Sequence, residues 1–171
     1  MKRLITRVLL VIISMTPMLS GNAFAAKANP DITTDVLILN KMKLSNGNTK
    51  TIKANAASFH ANGKCMFDTS YKTINSGKGD VVENFVNILK RDGKLVRRNN
   101  INNLKSQAKK EHKFLLSLNS GENLLELTLD DSNKIAESNE KNNKLSAKLK
   151  IVGKCSGKSR QSDNKAPVKK K

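Results

Sequence analysis

Residues 120–152 read "SGENLLELTLDDSNKIAESNEKNNKLSAKLKIV", and the fold turns on how this passage is parsed. Leu125, Leu127 and Leu129 alternate with Glu126 and Thr128; further on, Leu145, Ala147, Leu149 and Ile151 alternate with Ser146, Lys148 and Lys150. A period of two puts alternate side chains on opposite faces of an extended strand. The passage is therefore two half-buried strands joined by a loop. Into that loop are crowded Glu137, Asn139, Glu140, Asn142 and Asn143, in a chain whose formal net charge is +18. Asparagine side chains bond nearby backbone and tolerate left-handed conformations, and carboxylates accept strong bonds from N–H groups. The crowd, with Asp130 before it, suits a sharp structural corner. A calcium site from Asp130, Asp131, Asn133 and Glu137 has hard oxygen donors. Its spacing does not match the twelve-residue calcium loop, and the mid-loop glycine is missing.

Working outward, the same period recurs. Residues 32–44 are rich in β-branched and apolar types and predict one strand, followed by the turn-forming "SNGNTK". "TIKANAASFHANGK" fits either a short extra strand or an irregular excursion. In "CMFDTSYKTI", Phe67, Thr69, Tyr71 and Thr73 share one face. Asp92-Gly93 in "VVENFVNILKRDGKLVRR" is a hairpin signal. "EHKFLLSLNSGENLLELTLDDSN" repeats that arrangement around Asn-Ser-Gly, while "NNINNLKSQAKK" fits a short strand or a helical turn. About seven short strands, turn signals and no amphipathic helix predict an all-β, antiparallel sandwich.

The ends differ from this middle. Lys2, Arg3 and Arg7 precede the apolar "VLLVIISMTPML", and "GNAFA" supplies a small-x-small cleavage pattern ending at Ala25. Residues 1–25 are therefore expected to be a signal peptide, and the mature chain to be exported, to a periplasm or to the medium. Removing its three basic residues leaves 29 against 14 acids, a net of +15. In an exported protein the two cysteines, Cys65 and Cys155, read as one disulfide. From residue 156 onward no apolar pattern remains, and 156–171 is expected to be a disordered basic tail, leaving 26–155 as one domain.

The 120–152 passage resembles the second half of the bacterial cell-adhesion-related domain, CARDB, whose pattern closes on E-x-N-E-x-N-N. The matching residues are Asp130, Glu137, Asn139, Glu140, Asn142 and Asn143. "PDIT", "TINSGKG" and "ILKRDGKLV" resemble its opening, its Asn-x-Gly turn and its Asp-Gly hairpin, so the likeness runs over roughly residues 30–152. The resemblance implies a seven-stranded, immunoglobulin-like sandwich, occurring on cell surfaces, without catalysis. In such a sandwich the second strand begins at the pole where the final strand ends. Cys65 opens the one and Cys155 follows the other, so the resemblance implies a clasp at that pole.

Catalytic sets are thin. His60 and His112 are isolated, and no nucleophile elbow, zinc-protease or phosphate-loop motif occurs. Glu137 and Glu140 form the one conceivable carboxylate pair for a small carbohydrate-active enzyme, but one tyrosine and no tryptophan leave little to line a sugar cleft. No cofactor or metal is implied. Lys90, Arg91, Lys94, Arg97, Arg98, Lys109 and Lys110 form a candidate face for an anionic partner. Export and the lack of interleaved aromatics argue against nucleic acid. Two binding readings stand: an accessory module contacting an envelope or host protein, in a secretion or virulence-related assembly, and a basic module on an anionic polymer or membrane surface. Lysines that only solubilise the protein and guard edge strands are the plain alternative.

Overall fold

The computed structural model describes residues 28–156. The expected signal peptide, and the expected tail beyond residue 156, lie outside the described residues. Eleven strand segments follow in order: β1 (Ile32–Thr33), β2 (Leu37–Leu39), β3 (Met42–Leu44), β4 (Thr49–Lys53), β5 (Phe59–Ala61) and β6 (Lys64–Asn75). Then come β7 (Phe85–Arg91), β8 (Lys94–Ile101), β9 (Lys109–Leu118), β10 (Gly121–Thr128) and β11 (Lys144–Val152). Among the described residues the only helical element is a 3-10 turn at Ala54–Ala56.

Two sheets face each other. In the first, β6 is the spine: β9 pairs along one side, while β5, β2 and β1 succeed one another along the other, with β3 beyond β2. The second runs β4-β11-β10-β7-β8, antiparallel except for the β11–β4 pair. The core fills the space between. Phe67 and Tyr71 of β6 and Leu116 and Leu118 of β9 meet Phe85 and Leu89 of β7, Leu125 and Leu127 of β10, and Leu145, Leu149 and Ile151 of β11. These are the inward rows that the alternation predicted. The sandwich class stands, in more and shorter pieces than seven strands.

Three local expectations change. The strand expected over 32–44 is broken into β1, β2 and β3, because Asn40 adopts φ 53° and turns the chain back so that Leu39 pairs with Met42. Asparagine supports that left-handed conformation more readily than most residues. The uncertain stretch after the first turn carries β4, the 3-10 turn and β5, so it crosses from the second sheet to the first. The expected repeat of the hairpin around Asn-Ser-Gly does not form. β9 pairs with β6, whereas β10 pairs with β7 and β11. Both strands have an apolar face, and each buries it from its own sheet. Asn123 braces the crossover, accepting from Asn119 N–H at 3.2 Å and donating to the Asn119 carbonyl at 3.0 Å. By contrast Asp92 (φ 51°) and Gly93 (φ 75°) do make the two-residue turn of the β7–β8 hairpin, with Arg91 opposite Lys94.

Candidate functional site

The acidic–asparagine loop lies between β10 and β11 and folds back on the start of the domain. Asp130 (φ 42°) opens it; its Oδ2 accepts from Ile135 N–H at 2.7 Å. Glu137 is 9% exposed, accepts a short hydrogen bond from Ile32 N–H in β1, and accepts at its other oxygen from Asn143 Nδ2 at 3.0 Å. Glu140 accepts from Glu137 N–H at 3.0 Å, Asn139 from Lys141 N–H at 3.1 Å. Asn142 donates to Asp31 Oδ1 at 2.8 Å, and Thr33 donates to the Asn142 carbonyl. The buried backbone donor served here is thus Ile32 N–H, and its acceptor is Glu137, not the Asn142 side chain. Burial pushes the Glu137 carboxyl up to about 7, against the Ile32 and Asn143 bonds that favour its charge; Glu140 and Asp130 push the same way as burial.

This arrangement separates the residues of the alternative sites. Asp131 and Asn133 are exposed while Asp130 and Glu137 are buried and bonded to protein N–H groups. Among the described residues no group of three or more His, Cys, Asp or Glu is placed to hold a metal ion. Glu137 and Glu140 do come together, but in an interlocked loop: Glu137 is tied to β1 and Asn143 lies within reach of both carboxylates. At the opposite pole Cys65 and Cys155 form a disulfide with a Cα–Cα distance of 4.9 Å, joining the start of β6 to the chain just past β11. The ring nitrogens of His60 face the Ser156 and Ala54 carbonyls beside it.

The basic residues are brought to one flank, where β8 and β9 are the outer strands of the two sheets. Lys94, Arg97 and Arg98 on β8 and Lys109 and Lys110 on β9 are exposed; Lys90 and Arg91 on β7 are half-buried. Arg91 donates to the Ser117 carbonyl, and Arg97 lies over the Phe114 ring at 5.4 Å. Behind them runs a polar seam that sequence reasoning missed. Asn99 donates to the Tyr71 hydroxyl at 2.7 Å, Asn87 to Thr73 Oγ1 at 2.7 Å, and Thr73 Oγ1 lies 2.9 Å from His112 Nε2. The Tyr71 and His112 rings stack at 4.6 Å. Burial, then Lys110 and Arg97, lower the His112 pKa, so the imidazole is held neutral. The available signal was polar Thr73 and Asn87 at inward positions of otherwise apolar rows.

The CARDB family model matches residues 51–147, more than half of the chain. The chain belongs to the CARDB family. A CARDB domain of a Pyrococcus furiosus protein, solved in complex with di-metal ions, superposes with a TM-score of 0.55 at 16% identity, over 72% of this chain and 94% of that one. A domain described as part of a cell surface protein from Methanosarcina acetivorans gives a TM-score of 0.49 at 21% identity, over 72% and 93%. The search of curated proteins finds no match. The first likeness bears on fold, and agrees with the CARDB sandwich described above. Among the described residues no helix is long and apolar enough to cross a membrane.

Proposed function

We propose that this CARDB protein is a non-enzymatic, exported binding module of the bacterial envelope, which contacts another protein through the β8–β9 flank. One observation carries the reading. Of the seven basic residues named there, only Arg91 has a carboxylate within 4 Å among the described residues, and that is Asp92 beside it in the turn. Their charge is unspent within the domain. Leu95 (56% exposed) and Leu115 (40%) on the same two strands add apolar anchors. A charged rim around apolar contacts is the composition of a protein interface. The alternative partner, an anionic polymer or lipid surface, would use the charge alone.

Cross-linked capture from intact cells, using the full chain and an Arg98→Glu/Lys109→Glu variant, tests this. Contact with a protein should survive a rise from about 50 to 200 mM salt, whereas polyanion binding falls steeply by counterion release. Capture of the same partner by the charge-reversed variant would refute the assignment of the flank.

A further inference from the structure

The two flanks of the sandwich are closed in different ways. At β8–β9 a guanidinium over Phe114 and the Asn99–Tyr71 bond cover the core. At the opposite flank the chain has crossed from β3 in one sheet to β4 in the other, and among the described residues no side-chain hydrogen bond spans these two strands. Met42 sits opposite Leu39 on the first sheet's inward row, and Ile52 lies in register with inward Ile151 on the second. Met42 and Ile52 are only partly buried. Between them opens a cavity of about 330 Å³ whose lining includes Leu39, Met42, Ile52, Ala56 and Phe67, with Lys41 at the hairpin tip.

We infer that this cavity is a binding site for the alkyl chain of an anionic amphiphile, whose head group is met by Lys41 and Lys50. The interior decides against a polar ligand. Its one polar side chain besides Lys41 is Asn40, and that amide is already engaged: Nδ2 donates to the Ala56 carbonyl at 2.6 Å, and Oδ1 accepts from Ser58 Oγ at 2.7 Å and Asp68 N–H at 3.0 Å. A peptide or sugar entering would bury donors and acceptors with nothing to pair them, which is costly; an alkyl chain carries none. Leu39 and Phe67, each 1% exposed, form an apolar floor, and the volume falls at the lower end of the range of small-ligand sites, roughly 300–1,000 Å³. The rim sets the sign of the head group. Lys41 is exposed at the mouth, Lys50 shares the inward row of Ile52 by its register with Leu149, and among the described residues neither has a carboxylate within 4 Å. The site is separate from the β8–β9 flank, so it neither requires nor excludes the partner proposed there.

The test is methyl-labelled NMR of the full mature chain with sodium laurate, kept below micelle formation. Saturable shifts of the Met42 and Ile52 methyls, with a dissociation constant under about 1 mM, are expected. Dodecyltrimethylammonium, with the same chain and a cationic head, should bind at least about tenfold more weakly, as should laurate to a Lys41→Glu/Lys50→Glu variant. Both residues are exposed, so the variant's spectrum elsewhere should match the native one. Flotation with phosphatidylglycerol vesicles, abolished in the variant, would place the amphiphile in a bilayer; laurate binding without flotation would place it free in solution. Absence of saturable methyl shifts, equal binding of the cationic amphiphile, or shifts confined to β8 and β9 would overturn the site.

Discussion

Glu137 makes the stability of the domain depend on pH in an unusual direction. Its carboxyl is buried, and burial raises its pKa from 4.5 to about 7 even though Ile32 N–H and Asn143 favour the charged form. An acid whose folded pKa is raised contributes stability that is complete below its unfolded pKa and is lost as pH rises through its folded pKa. For Glu137 that window runs from about pH 4.5 to just above 7. At about 1.4 kcal/mol per unit the ceiling is about 3 kcal/mol, and water reaching the loop brings the expected loss to about 1–3 kcal/mol. His112 works against it: its pKa is lowered, so it loses stability as pH falls below its ordinary value near 6.5. The whole-protein profile therefore mixes two opposed slopes, and a difference measurement is needed. Glu137→Gln keeps a carbonyl for Ile32 N–H, and its amide can donate to Asn143 Oδ1, which has no partner now. Urea unfolding of both proteins, disulfide intact, should show the variant gaining about 1–3 kcal/mol relative to the native chain between pH 5 and 8.5. A difference that stayed flat, or that ran the other way, would refute the claim that burial dominates at this carboxyl.

Further perturbations probe the remaining joints. Replacing Cys65 and Cys155 together by serine should cost about 4 kcal/mol in the chain-entropy treatment of a loop of this size, read as a lower urea midpoint; a loss within about 0.5 kcal/mol would mean the clasp is energetically idle. Gly77→Ala would place a Cβ 2.5 Å from Asp31 N and from the Pro30 carbonyl carbon, so the start of β1 must move. We expect about 1–3 kcal/mol of destabilisation and faster amide exchange at Ile32, and unchanged exchange there would show that Gly77 does not fix the segment. Intact mass of the exported protein should begin at Ala26; a retained leader would remove the argument for an oxidising compartment.

The fold was legible wherever the period of two ran long enough to define a face. β6, β10 and β11 are strands of eight to twelve residues whose inward rows were readable one by one, and Asp92-Gly93 carried its own turn chemistry. Short segments were not legible. β1, β2 and β3 are two or three residues each, too few for a period, and nothing in "LILNKMKL" except Asn40 marks the reversal. The crossover at Asn-Ser-Gly was misread for a different reason. A turn signal says that the chain reverses, and both flanking strands bury an apolar face whether they pair with each other or pack across the core. Pairing is a tertiary choice, made here by β6, which offers β9 a ten-residue antiparallel ladder.

The loop between β10 and β11 shows where the same limit falls for the site. Its composition announced that backbone groups needed acceptors, but the donor that matters, Ile32 N–H, lies 105 residues away in the chain. β1 has only two residues, paired with the end of β6 at Ile74 and Asn75. So short a strand cannot hold itself by its ladder alone, and Glu137 and Asn142 supply the lateral bonds that fix it. The acidic loop of the family pattern thus belongs mechanically to the first strand as much as to the last. This accounts for carboxylates in so basic a protein: they are spent inward, on the N-terminal segment, while the lysines and arginines of β8 and β9 are left facing out. Asymmetry of that kind leaves the outward charge available to a partner, which is the property that the charge-reversal experiment measures.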